Sequence, residues 1–155
     1  AVCQMRPESQ GNIHIKSPDP SVPPAIRCNF LSEPGDVQCL VNGMKIGRIV
    51  VDAAPFDPYR HFELAPGENC RSDADFETFA RETGQTLYHI SGMAKMGPST
   101  DRMAVVDERL QVHGMEGLRV IDASIMPTLV SGNTNAAVIM IAQKGADMLL
   151  EDGKG

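Results

Sequence analysis

The sequence has no tryptophan, no surplus of positive charge, no long apolar run and no closely spaced cysteine pair. Each absence removes a class of function. A formal charge of −6 leaves no electrostatic footprint for nucleic acid or an anionic membrane, although it says nothing about a buried pocket. The most apolar run, 136–142, is too short to cross a bilayer. The opening AVCQMRPESQ has neither the charged-then-apolar pattern of a signal peptide nor a transit-peptide bias. Cys3, Cys28, Cys39 and Cys70 lie far apart, which argues against a zinc knuckle or dithiol pair and for reduced, mostly structural thiols, favouring the cytoplasm. His14, His61, His89 and His113 form no local HxH or HExxH arrangement, so no metal site is expected. GxSxG, GKS/GKT and GxGxxG are also missing, which removes the hydrolase elbow, the phosphate loop and the dinucleotide fingerprint.

What remains is a chain of 155 residues, 42% hydrophobic with 14 glycines, enough to bury a core as one soluble globular domain. Its organising stretch is 118–150. Leu118, Val120 and Ile121 predict a buried strand; the polar, breaker-rich segment from Asp122 to Asn135 follows, and then a long helix. Ala136, Val138, Ile139, Ala142, Ala146 and Leu149 are expected on its apolar side, with Gln143, Lys144 and Asp147 on the other. Asn133, Thr134 or Asn135 caps its start, and Gly153 lies near its end. The free amides at such a start serve an ordinary cap or receive a pyrophosphate or a polarised cofactor oxygen; both readings stay open.

Upstream, Ile13 and Ile15 alternate with polar neighbours as in a strand with one wet face, and Ile26, Cys28 and Phe30 resume the alternation. SPDPSVPP at 17–24 must be a turn or short extended crossing between them. Pro34, Gly35 and Asp36 predict a helix start, with Val37, Leu40, Val41, Met44 and Val51 on one stripe and Lys45 and Arg48 on a solvated face. HFEL at 61–64 reads as a short strand. Ser72 and Asp75 have capping-box spacing ahead of a helix that Gly84 ends. Leu87 to Ile90 reads as extended chain, followed by Gly92 and Gly97, which permit unusual backbone angles. Val105 and Val106 suggest another short strand.

Two centres in this pattern can carry chemistry. His89 can accept a proton near neutral pH, whereas the amide of Asn133 can only position or stabilise. On residues alone, a packing role is the ordinary reading of each, more so for Asn133, and the catalytic one stays open beside it.

YHISGMAKMG at 88–97, VVDERLQVHGMEGLRVIDASIMP at 105–127 and SGNTNAAVIMIAQKGAD at 131–147 together resemble the C-terminal part of the glucose-methanol-choline oxidoreductases; MRPESQGNIHIKSPDP at 5–20 resembles a strand-and-turn region of their substrate domain. The resemblance implies a mixed α/β (α+β) chain, incomplete as a stand-alone fold. Residues 1–104 would be part of an antiparallel-sheet substrate domain, and 105–155 the strand and helix that return to an FAD-binding domain. It implies FAD as cofactor and oxidation of a small alcohol to an aldehyde or ketone, with hydride passing to flavin N5 and O2 or another acceptor taking the electrons. His89 would be the base and Asn133 the second catalytic position, holding the alcohol oxygen. Asp122, Ala123, Asn133, Thr134 and Asn135 would contact the cofactor, the first two through backbone amides. The N-terminal FAD-binding portion would come from a companion chain or from the same precursor. Ile90, Ser91 and Met93 stand where many relatives have YHPVGT, a change that leaves the base in place. A flavoprotein fragment without catalysis, or a lyase retaining FAD, is the alternative.

Overall fold

Asp19 makes the proline-rich stretch a turn: its carboxylate accepts from the Ser21 amide (2.9 Å) and hydroxyl (2.8 Å), and its carbonyl accepts from Val22 N (3.1 Å). In the computed structural model, which describes residues 1–154, this turn joins β1 (Asn12–His14) to the antiparallel β2 (Ala25–Arg27), with Ile13 opposite Ile26. The expected buried face is not covered: Ile13, Ile15, Ile26 and Phe30 are all exposed. A two-stranded ribbon has no second layer of its own to bury that side.

The chain divides into two compact units, Ala1–Thr86 and Leu87–Gly155. This division reports local packing; the boundary at 104/105 concerns which domain of a full-length relative each part would join.

In the first unit, α1 (Pro34–Val51) begins with proline, whose missing N–H costs nothing in a first turn. Val37 and Val41 on α1 pack with Cys70 and with Phe76 of α2 (Asp73–Thr83), while Leu31, Met44 and Phe79 cover the edges. Helix α2 starts on the expected capping box, Ser72 accepting from Asp75 N and Asp75 from Ser72 N, and Gly84 terminates it. The Asp36 carboxylate, 1% exposed in the first turn of α1, gathers the N-terminal segment. It accepts from Glu8 N (2.9 Å), Ser9 N (2.8 Å), Ser9 Oγ (2.5 Å) and Gln4 Nε2 (3.3 Å).

Two further expectations fail in this unit. Arg48 is not a solvated residue. Its guanidinium forks onto Glu63 (2.9 Å), donates to the carbonyls of Cys70 and Gly67, and lies 4.7 Å from the centre of the Phe76 ring. The HFEL segment is consequently not a strand, because Glu63 is held by Arg48 rather than in a ladder.

In the second unit Val106, Leu110, Ile125, Met126 and Ile141 form the core, bordered by Met96, Val120, Ile121 and Val138 among others. The strands foreseen at 105–106 and 118–121 are reduced to isolated bridges, Met96–Val106, Val106–Val112 and Gln111–Arg119. The segments are extended and bonded, with Val112 N donating to Leu118 O and Val120 N to Leu110 O. Turns at Gly114 and Gly117, both at positive φ, cut the ladder before a second pair can form.

Helix α3 (Asn135–Asp152) ends at Gly153 as expected, but it buries a different face. Ile141 and Gly145 are buried, with Ala137, Val138 and Met148 beside them, whereas Ala136, Ile139, Ala142, Ala146 and Leu149 are exposed. Residues 136–142 are apolar at every position, so periodicity cannot select a side; the bare backbone of Gly145 does, by admitting Ile121. Arg109 and Arg119 pair with Asp152 at the far end of the helix.

All four cysteines are free thiols. Only Cys70 is buried, so the structural role expected of these residues applies to that one. Among the described residues, no helix is long and apolar enough to cross a membrane.

Candidate active site

The sequence-predicted residues gather within the second unit, and backbone hydrogen bonds bring them together. Gly92 N donates to Ala123 O (3.4 Å), Ala94 N to Ser124 O (2.9 Å) and Met96 N to Ile125 O (2.8 Å), so the segment following His89 runs beside the 3-10 turn Ala123–Ile125. Two unusual backbone angles shape this segment, Tyr88 at φ 61° and Gly92 at φ 85°. A tyrosine in the left-handed region costs about 1–2 kcal/mol, and such residues concentrate where a neighbouring side chain must be aimed.

That neighbour is His89, half-buried, whose Nδ1 lies 3.0 Å from Thr134 Oγ1. Thr134 is buried and is the N-cap of α3, yet its side chain makes no capping bond. Its hydroxyl is turned to the imidazole and caps none of the first-turn amides. Asn133 and Asn135 flank it in sequence and are both exposed.

Asp122 caps the 3-10 turn, its carboxylate accepting from Ser124 N (2.7 Å) and Ser124 Oγ (2.5 Å). Both bonds fall on Oδ1.

The other histidines lie elsewhere. His113 Nε2 is 3.0 Å from Gly97 O, His61 packs edge-on against Phe62, and His14 is on β1. Among the described residues, no group of three or more His, Cys, Asp or Glu side chains could hold a metal ion.

This arrangement can move one proton. An imidazole held through Nδ1 can offer Nε2 to a substrate, with an amide-bearing side chain next to its anchor and a helix start suited to a polarised or anionic group. The bond between His89 and Thr134 escapes sequence reasoning, because 45 residues separate the two and no local pattern links them.

Comparison with known proteins accounts for nearly all of the chain. A family model described as GMC oxidoreductase, for the C-terminal part of that family, matches residues 7–142. An oxygen-dependent choline dehydrogenase of Chromohalobacter salexigens is 47% identical over 146 residues, 94% of this chain and 26% of that protein. Another, from Pseudomonas aeruginosa, is 48% identical over 145 residues, again 94% and 26%. Among solved structures, pyridoxine 4-oxidase from Mesorbium loti has a TM-score of 0.85 at 31% identity, covering 92% of this chain and 28% of that one. An FAD-dependent oxidoreductase from Chaetomium thermophilum gives 0.85 at 28% identity, covering 93% and 25%. The chain thus spans about a quarter of the length of these relatives. The chain belongs to the glucose-methanol-choline oxidoreductases, a family of FAD-dependent enzymes.

Proposed function

We propose that the chain forms the proton-transferring part of an FAD-dependent alcohol oxidoreductase, with His89 as base and Asn133 as the group that holds the alcohol oxygen. The observation that carries this reading is the 3.0 Å bond between His89 Nδ1 and Thr134 Oγ1, which ties the one candidate base to the residue beside Asn133 at the start of α3.

The residues present fit FAD. Thr134 leaves the start of α3 without a side-chain cap of its own, and the Asp122 carboxylate is engaged through Oδ1 by the Ser124 amide and hydroxyl. The backbone at Asp122 and Ala123, with Thr134 and Asn135, would hold the cofactor. FAD, when bound, supplies the two-electron acceptor for the hydride. His89 takes the hydroxyl proton at Nε2 as the alcohol carbon gives up its hydride, leaving an aldehyde or ketone. Asn133 donates to the alcohol oxygen and fixes the carbon's orientation without itself titrating.

The remainder of the flavoprotein, upstream in the same polypeptide or on a companion chain, would supply the nucleotide-binding portion. The 47–48% identity to oxygen-dependent choline dehydrogenases supports choline as the first alcohol to test. The assembled flavoprotein, mixed with choline and then with other primary alcohols without oxygen, should lose its oxidised-flavin absorption and regain it with O2 or an artificial acceptor. Bound FAD that no alcohol bleaches would reject the reading in favour of a lyase or a non-catalytic flavoprotein.

A further inference from the structure

A threonine at a helix N-cap ordinarily turns its hydroxyl back onto a first-turn amide. Thr134, whose backbone is already helical at φ −76° and ψ −15°, makes no such bond. The residue is 8% exposed, its side chain makes no cap contact, and its Oγ1 is directed to His89 Nδ1 instead. The hydroxyl thus caps no amide of its helix and meets the imidazole instead.

We infer that Thr134 is a positioning residue that sets the tautomer of His89, an inference that rests on the reading of His89 as the base. Neutral imidazole has one N–H and one lone pair, and which nitrogen holds which is decided by the partner of the other. Were the Thr134 hydroxyl to donate to Nδ1, the lone pair would be used there and Nε2 would carry hydrogen toward the substrate, unable to accept a proton. With Nδ1–H donating to Oγ1, Nε2 holds the lone pair. The alcohol's O–H bond would then break as an N–H bond forms at Nε2, FAD when bound supplying the two-electron acceptor for the carbon's hydride. The resulting imidazolium keeps its Nδ1–H on the same oxygen, so the ring does not turn during the transfer. A hydroxyl oxygen serves both states because it accepts from Nδ1–H whether or not the ring is charged, and it adds no charge of its own.

The backbone reinforces this geometry from both sides. Tyr88 is held at φ 61° before the histidine, and Gly92 is tied to Ala123 O after it. The imidazole therefore meets Thr134 from a fixed direction, which a tautomer-setting bond needs.

The test uses the FAD-loaded full-length enzyme with Thr134→Val and Thr134→Ser. Valine keeps the β-branched shape, and no cap bond is lost because none is made. In nitrogen NMR of histidine-labelled enzyme, wild type and Thr134→Ser should show neutral His89 protonated at Nδ1, and Thr134→Val should shift toward the Nε2–H form. The limiting rate of flavin reduction should fall about ten- to a hundredfold in Thr134→Val with the substrate dissociation constant unchanged, and Thr134→Ser should restore it. The inference is overturned if Thr134→Val matches wild type in rate and tautomer while His89→Ala is slow, or if wild-type Nδ1 is unprotonated. Wild-type reduction by His89→Ala would instead remove the reading of His89 as base, and this inference with it. Should Thr134→Val fail to load FAD, the wild-type spectrum decides alone: protonated Nδ1 supports the inference and unprotonated Nδ1 overturns it.

Discussion

Ile121 packs directly onto the backbone of Gly145: a β-carbon built on that glycine would lie 2.5 Å from Ile121 Cγ2 and 3.0 Å from its Cδ1. The contact seats α3 on the extended segment that leads into the candidate site. Because Cγ2 branches from Cβ, the isoleucine can clear a methyl only by changing χ1 or shifting backbone. Gly145→Ala should destabilise the protein by about 1–2 kcal/mol, overpacking outweighing the roughly 1 kcal/mol gained in helix propensity. Ile121→Ala alone should also destabilise. Combined with Gly145→Ala it should cost less than the sum of the two, measured by a double-mutant cycle in urea.

Arg48 is the hub of the first unit. Its ion pair with Glu63 is about three-quarters buried, its side chain being 25% and that of Glu63 28% exposed, and it also satisfies two carbonyls and covers Phe76. Arg48→Ala leaves the Glu63 carboxylate unpaired and should lower stability by about 2–3 kcal/mol. Arg48→Lys should recover less than half of that loss, since an ammonium cannot fork onto the carboxylate and reach both carbonyls. Urea midpoints at constant slope would read both effects.

The Asp36 carboxyl should govern part of the acid sensitivity. Burial pushes its pKa up, but the Ser9 hydroxyl, the Glu8 and Ser9 amides and the Gln4 side chain together hold it below the ordinary 3.8. A carboxyl depressed by folding contributes stability that is complete above its unfolded pKa and is lost as pH falls through 3.8 toward the lower folded value. Asp36→Asn should therefore be less stable than wild type at pH 7, by roughly 2–3 kcal/mol. Its acid limb should be flatter, and the two proteins should converge at low pH. Stability measured against pH would reveal parallel curves if Asp36 were not involved.

Much of this architecture is legible in the residues, for reasons that are local. Pro34 and the Ser72–Asp75 box act within one turn of their helices, and Gly153 acts at the end of its own. The face of α3 was not legible, because an all-apolar run carries no azimuthal information and the deciding contact, Ile121 on Gly145, is long-range. Arg48 misled for the same reason: its helical position looks solvated until Glu63, Gly67 and Cys70 fold around it. At the site, His89 and Asn133 are candidates on residue chemistry alone, and the family resemblance supplies the roles proposed for them and for the residues proposed to contact a cofactor. The hydroxyl that links His89 to the start of α3 needed coordinates.

The central claim is that His89 takes the proton from the alcohol. Rapid mixing of FAD-loaded, full-length His89→Ala with substrate under anaerobic conditions tests it most directly. The account predicts that FAD remains bound while flavin reduction slows by about 10²- to 10⁴-fold. Reduction at the wild-type rate, with FAD content unchanged, would contradict it.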